Sequence, residues 1–289
     1  MWKKIVLIIA VVLLLTGIGF LLFPPVSNHV GQIKANGVIE KYEEELDNAA
    51  EELVDESDGT VVKTFEEAKK RGLVDSEGYP VKSPDGTVRF TVRTGGSGGG
   101  GGSYTPEPGK RIVFKPDLNK LLRDSRKYNK SILNNQGTVD ANDYTHAALN
   151  MSKYGFGNVY AYISASSIGM SLPVYLGANE EMMGYGAAHL NNTSLPLNEK
   201  NTNCVVAGHT GYVGRIFFDN IRNLKKGDSV NVKNFWETIH YKVTDYKKVE
   251  PNQTTDTVIQ YGKKLLTLVT CTQLDNGKYG RYIVICEAK

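Results

Sequence analysis

The chain opens with an uncharged, mostly apolar run from Ile5 to Phe23, preceded by Lys3 and Lys4 and followed by Pro24-Pro25. A helix over this run rises about 1.5 Å per residue and spans a hydrocarbon core of about 30 Å. The run exceeds an ordinary signal-peptide core and no small-residue cleavage site follows it, which favours an uncleaved transmembrane anchor within residues 1–25. Because the lysines precede the run, the N-terminus is expected in the cytoplasm and the rest outside the cell membrane.

Residues 26–59 are predicted to form an acidic helical spacer. From Val38 to Val54, apolar residues recur at alternating spacings of three and four, which is helical periodicity. They are Ile39, Tyr42, Leu46, Ala49 and Leu53. The positions between them are rich in Glu and Asp, so the other faces of this helix are expected to be solvated.

Two further segments separate the spacer from the second half of the chain. Residues 60–94 are predicted to form a small insertion with a helix at Phe65–Arg71, a turn at Ser83–Gly86 and a strand at Thr87–Val92. Residues 95–109 are rich in Gly, Ser and Pro, and GGSGGGGGS at 95–103 is typical of a flexible linker. No motif in either segment indicates a function.

The last segment, 110–289, is predicted to be mainly β. A helical pattern over Pro116–Leu133 opens it, and a second short helix is expected at Phe217–Leu224. Short apolar runs, separated by Gly, Asn, Asp and Pro, predict strands at Tyr160–Ile163, Met170–Tyr175, Cys204–Ala207, Ser229–Val232, Thr238–Val243, Leu265–Thr270 and Tyr282–Cys286. Many short strands of this kind indicate a closed or nearly closed β-barrel.

Charge and cysteine content narrow the classes of function. The net charge of +3 is too small to indicate nucleic-acid binding, and the basic residues of the chain are too scattered for it. The three cysteines are Cys204, Cys271 and Cys286. An odd number in an exported chain indicates a free thiol, and Cys204 and Cys286 lie in apolar runs typical of buried residues.

Cys271 is therefore the candidate nucleophile, at the end of the apolar run Leu266–Thr270. A thiol is mostly protonated at neutral pH, and His209 in Gly208-His209-Thr210 follows another apolar run and can act as proton shuttle. Arg281 begins the next strand and can stabilise the negative charge of an oxyanion. The three residues predict acyl transfer through a thiol.

The other polar candidates have weaker roles. Thr270, beside the candidate nucleophile, is expected to help position an oxyanion. His189 competes with His209 but is interpreted as a structural residue. Glu250 and Asp256 are too isolated for a calcium site, and neither a metal nor another cofactor is predicted.

These motifs resemble the sortases, the cysteine transpeptidases of the Gram-positive cell surface. The TLxTC signature of that family matches Thr267–Cys271, and Gly208-His209 and Arg281-Tyr282 match its histidine and arginine segments. Weaker matches are Leu172-Pro173-Val174-Tyr175, Gly186–His189, Thr193–Pro196 and Leu224–Asp228. The resemblance covers about residues 157–287 and implies a sortase-like closed β-barrel behind an N-terminal membrane helix.

The resemblance also implies an activity and its partners. Sortases cleave an LPxTG-like sorting signal on a surface or pilin protein, then pass the acyl group to an amine of a cell-wall precursor or pilin. Cys271 would form the thioester, His209 would protonate the leaving amine, and Arg281 would hold substrate and oxyanion.

Two alternatives stay open at this stage. An L,D-transpeptidase also uses His, Cys and Arg in this order, but its cysteine lies in an SHGC-type turn, whereas Leu268-Val269-Thr270 precede Cys271 here. A catalytically degenerate, membrane-tethered binding module would keep the barrel without turnover.

Overall fold

The computed structural model describes residues 2–47, 49–94, 102–114, 116–134, 143–154, 156–211, 218–253 and 255–289. The α-helices are α1 (Trp2–Asp47), α2 (Phe65–Lys70) and α3 (Pro116–Asn134). The strands are β1 (Ala50–Asp55), β2 (Val61–Val62), β3 (Phe90–Thr94), β4 (Gly102–Tyr104), β5 (Val159–Ala165), β6 (Met170–Tyr175), β7 (Ala187–His189), β8 (Thr202–Ala207), β9 (Ser229–Lys233), β10 (Thr238–Val249), β11 (Lys264–Gln273) and β12 (Tyr279–Ala288). Short 3₁₀-helices lie at Met151–Tyr154, Ser166–Ile168, Met182–Gly184 and Asp219–Asn223.

Strands β5 to β12 close into a barrel in the order β10-β12-β11-β8-β7-β6-β5-β9. The β8–β11 and β6–β7 pairs are parallel, and the others are antiparallel. Alternate residues of each strand fill the interior of the barrel. In β11 they include Leu266 and Leu268, so the residues that alternate with these two along β11 face outward. The prediction of a mainly β, closed barrel is confirmed, as are its seven predicted strands; β7 was not predicted.

A second, smaller sheet has the strand order β2-β1-β3-β4 and its own apolar core. Leu53, Phe90 and Phe114 are fully or almost fully buried there. The predicted helix is present as α2, and Gly72 follows it with a φ of +66°, a conformation that favours glycine. Of the predicted linker, residues 95–101 lie outside the described residues, whereas Gly102–Tyr104 form strand β4 against β3.

The helix predicted to reach Val54 is wrong beyond Asp47, because residues 50–55 form strand β1. Strand β1 pairs with β3, and the register shifts between Ala50 and Glu52. This irregularity places Ala50 and Leu53 in the core at a spacing of three. Two buried residues three positions apart occur here in a strand, although the same spacing also occurs on one face of a helix.

Helix α1 also differs from the prediction, since Pro24 and Pro25 lie inside it. Each proline removes one backbone donor and usually breaks a helix, but its φ of about −65° is compatible with helical backbone. Beyond the prolines, the C-terminal part of the helix is held in place by its contacts with the barrel. Among the described residues, α1 is the helix long and apolar enough to cross a membrane.

The C-terminal part of α1 packs on the barrel. Ala35 is fully buried, and Gln32 donates a hydrogen bond to the Ser171 carbonyl at 2.8 Å. Glu43 accepts hydrogen bonds from Lys233 at 2.7 Å and from Tyr162 at 2.9 Å, and the hydrogen bond from Lys233 lowers its pKa. The apolar run is thus joined to the barrel through one continuous helix.

Tyr42 contributes a buried aromatic ring to these contacts, and we expect Tyr42→Ala to destabilise the barrel. Its ring is 5% exposed and lies 5.1 Å from that of Phe235, while its hydroxyl donates to the Tyr160 carbonyl at 3.3 Å. Removing a buried aromatic ring costs about 3–5 kcal/mol. Urea unfolding of the detergent-solubilised chain, followed by tryptophan fluorescence, measures the loss.

Tyr42→Phe is the matched control, because it keeps the ring and removes one hydrogen bond worth about 1 kcal/mol. Equal stability of Tyr42→Ala and the unaltered chain would contradict the docking of α1 on the barrel.

Candidate active site

Cys271 and Arg281 lie directly opposite each other on the antiparallel strands β11 and β12. Directly paired residues point to the same face of a sheet. Arg281 Nη1 lies 3.5 Å from Cys271 Sγ, within hydrogen-bonding reach of sulfur, and Cys271 is exposed. The pairing thus places a fixed positive charge beside an accessible thiol.

His209 reaches the same place from β8. The parallel β8–β11 register pairs Ala207 with Val269, and the Gly208 N–H donates to the Val269 carbonyl at 3.1 Å. His209 follows two residues after Ala207, beyond the end of this ladder, and its side chain is partly exposed. The structure therefore brings Cys271 and Arg281 together at one rim of the barrel and holds the residue before His209 against the same strand.

Thr270 faces away from this rim and is 3% exposed. Its hydroxyl donates to the Gly208 carbonyl at 2.7 Å, so its one proton joins β11 to the residue before His209. Help in positioning an oxyanion stays a prediction for this residue.

Gly208 is required by close packing. A Cβ atom added there would lie 2.4 Å from Cγ of Phe218, whose side chain is fully buried. Only glycine lets the backbone approach this ring, and the Phe218 N–H in turn donates to the His209 carbonyl at 3.1 Å. The ring and this hydrogen bond fix the backbone that carries His209.

The other two cysteines differ from Cys271 in their surroundings. Cys204 and Cys286 are buried, and burial raises the pKa of both thiols, to about 12 for Cys286. A buried thiol with a raised pKa is unreactive. The exposed thiol of the chain is therefore Cys271.

His189 is buried inside the barrel, as its interpretation as a structural residue requires. It is 1% exposed, and its Nε2 lies 3.1 Å from the Ser194 carbonyl. Burial lowers its pKa to about 4, because an imidazolium loses its hydration there. His189 is therefore neutral near pH 7.

His189 leads us to expect a loss of stability in acid. In the unfolded chain its pKa is 6.5, so below that pH the unfolded state binds more protons than the folded state. The contribution of His189 to the free energy of unfolding is fully present above pH 6.5. It falls as the pH is lowered towards 4, by about 3 kcal/mol in total. Urea unfolding at several pH values in this range measures the slope.

His189→Gln, whose side chain stays neutral, should reduce that slope. An unchanged slope in His189→Gln would show that other groups cause the acid sensitivity.

Two polar residues near the site carried no signal in the sequence. Asp219 and Arg222 belong to the short 3₁₀-helix Asp219–Asn223. Asp219 binds the loop after His209, and Arg222 Nη2 donates to the Cys271 carbonyl at 3.0 Å. Their neighbours are remote in sequence, so only the fold identifies them.

The remaining acidic candidates have partners other than the three candidate catalytic residues. Asp256 accepts a hydrogen bond from Lys247 at 2.7 Å, and Glu250 lies 3.5 Å from the Asn276 amide. Neither contacts Cys271 in the part of the chain that the structure describes.

A closed barrel with an exposed cysteine opposite an arginine, and a histidine on the neighbouring loop, has the types of side chain that acyl transfer through a thiol requires. Comparison with known proteins specifies the class further. The family model of the sortase domain matches residues 163–289. Sortase A of Staphylococcus aureus is 30% identical over 170 residues, which are 55% of this chain and 79% of that protein. The chain belongs to the sortase family, a family of cysteine transpeptidases.

Two further matches support this assignment. Sortase A of Bacillus anthracis is 32% identical over 127 residues, or 44% of this chain, and the match spans 58% of that protein's length. The crystal structure of sortase C-1 from Streptococcus pneumoniae matches with a TM-score of 0.53 and 28% identity, covering 61% of this chain and 92% of that one. Family membership sets the L,D-transpeptidase alternative aside.

Proposed function

We propose that this chain is a membrane-anchored cysteine transpeptidase. It cleaves an LPxTG-like sorting signal and joins the acyl part to an amine of a cell-wall precursor or a pilin. The observation that carries the proposal is the exposed Cys271 thiol 3.5 Å from Arg281 Nη1, with the residue before His209 hydrogen-bonded to the same strand.

In the first half-reaction, His209 takes the proton of Cys271, and the thiolate attacks the carbonyl carbon of the sorting signal. The Arg281 guanidinium lies beside the sulfur and stabilises the oxyanion that forms. The C–N bond then breaks, and His209 donates its proton to the leaving amine. The product is a thioester on Cys271.

In the second half-reaction, an acceptor amine attacks the thioester carbonyl and gives a proton to His209. The C–S bond breaks, the thiolate leaves, and a new amide is released. Both half-reactions use the same three side chains, so no cofactor enters the balance.

The anchor and its orientation belong to the same proposal. Residues 1–25 cross the cell membrane with the N-terminus in the cytoplasm, and residues 110–289 form the catalytic domain outside. The apolar run of α1 and the lysines before it support this topology. The docked end of α1 holds the barrel close to the outer surface of the membrane.

Mass spectrometry of the detergent-solubilised chain, incubated with LPxTG-type peptides, tests the proposal. We expect an acyl adduct that maps to Cys271 and disappears when an amine acceptor is added, with a new amide product. The buried Cys204 and Cys286 serve as internal controls and should stay unmodified. Binding of peptide without adduct or product, across a broad peptide library, would favour the binding module instead.

A further inference from the structure

The 3₁₀-helix Asp219–Asn223 lies between the loop that carries His209 and the strand that carries Cys271. Its apolar residue Ile221 and the flanking Phe218 and Leu224 are buried in the barrel core. A 3₁₀-helix has three residues per turn, so Asp219 and Arg222 project from the same side of it. A rigidly packed element thus presents one anion and one cation towards the site.

Asp219 fixes the loop that carries His209. Its carboxylate accepts a hydrogen bond from the Thr210 hydroxyl. The Gly211 N–H donates to both carboxylate oxygens, at 3.0 Å and 3.2 Å. Gly211 has a φ of +77°, which favours glycine where the loop turns. Because the His209 carbonyl also accepts the Phe218 N–H, the backbone is held both at the histidine and just after it.

Arg222 fixes the strand that carries Cys271. The Gly208 N–H donates to the Val269 carbonyl, and β8 ends just before that glycine. Carbonyls two residues apart point to the same side of a strand, so the Cys271 carbonyl faces the gap that β8 leaves. Arg222 Nη2 occupies this gap, 3.0 Å from that carbonyl, and takes the place of the missing strand donor.

We propose that the Asp219–Asn223 helix is a clamp that sets the distance between the His209 imidazole and Cys271 Sγ. Asp219 and Arg222 are its two positioning residues. The clamp acts beyond the last paired residues of β8 and β11. Hydrogen bonds between these two strands therefore no longer set that distance. This inference rests on the proposed function, because proton transfer between the two groups is the step that it serves.

The test compares Asp219→Ala and Arg222→Ala with the unaltered chain by steady-state peptide cleavage in detergent. A misplacement of about 1 Å lowers catalysis by about 100-fold, so we expect kcat to fall by roughly 10- to 100-fold with KM within about twofold. Arg222→Lys keeps a donor for the Cys271 carbonyl and should restore part of kcat. Asn220→Ala, on the exposed side of the same helix, is the matched control.

A second measurement requires no peptide substrate. The rate of Cys271 alkylation by iodoacetamide across pH reports how readily the thiol loses its proton, and His209→Ala defines the profile without the imidazole. Asp219→Ala and Arg222→Ala should both shift towards that profile, with Arg222→Lys between them and the unaltered chain. This readout still tests the clamp if the unaltered chain fails to turn over peptides.

Three results would overturn the proposal. One is an unchanged alkylation profile in both alanine variants with kcat retained within about twofold. Another is a rise in KM alone for Arg222→Ala, which would mean that Arg222 contacts the peptide. The third is a fall in kcat for Arg222→Lys as large as for Arg222→Ala while circular dichroism shows both folded.

Discussion

Replacing Cys271 with alanine is expected to abolish both the acyl adduct and amide formation. Without the thiol there is no thioester, and removal of a catalytic nucleophile lowers kcat by about 10⁶-fold in the best-studied hydrolases. The side chain is exposed, so the variant should unfold at the same urea concentration as the unaltered chain. Peptide cleavage measured by chromatography gives the rate.

Cys286→Ala is the matched control, since Cys286 is also a free cysteine but is fully buried in the barrel core. It should lose stability of about 1 kcal/mol and keep its rate. Equal loss of rate in the two variants would mean that Cys271 is not the nucleophile.

Replacing Arg281 with alanine is the second large expected effect. Loss of one oxyanion donor lowers kcat by about 100- to 1,000-fold. Arg281 Nη1 lies 3.5 Å from the sulfur, where charge develops on the adjacent carbonyl oxygen. We therefore expect kcat rather than KM to fall. Arg281→Lys should recover little, because an ammonium lacks the planar pair of donors.

Arg126→Ala is the control for Arg281, because Arg126 forms a surface ion pair with Glu199 at 2.7 Å and should leave the rate unchanged. A rise in KM with kcat preserved in Arg281→Ala would assign Arg281 to binding of the intact peptide instead.

The sequence was a good guide where structure depends on near neighbours. Short apolar runs bounded by Gly, Asn, Asp and Pro predicted seven strands of the barrel. The β11–β12 pairing spans a short connection, so the nine residues between Cys271 and Arg281 place them on adjacent strands. An odd number of cysteines with two in apolar runs indicated which thiol is exposed.

The sequence was a poor guide where distant segments compete with local preference. Ala49 and Leu53 have helical spacing, yet pairing with β3, about forty residues away, makes residues 50–55 a bulged strand. The anchor and the spacer were predicted as separate segments that meet at Pro24-Pro25, yet one helix runs through both, and packing of Ala35 and Tyr42 on the barrel sustains it. In both places tertiary contacts outweigh a preference worth about 1–3 kcal/mol.

The sequence by itself determined the kinds of residue at the site, because Cys271, His209 and Arg281 each end or begin an apolar run. Only the tertiary structure decided their geometry. The parallel β8–β11 ladder brings Ala207, two residues before His209, beside Val269, which lies 62 residues further along the chain. Asp219 and Arg222 contact the His209 loop and the Cys271 strand from a helix between the two strands. Such distances depend on closure of the whole barrel, and local propensity carries no information about a contact between segments so far apart.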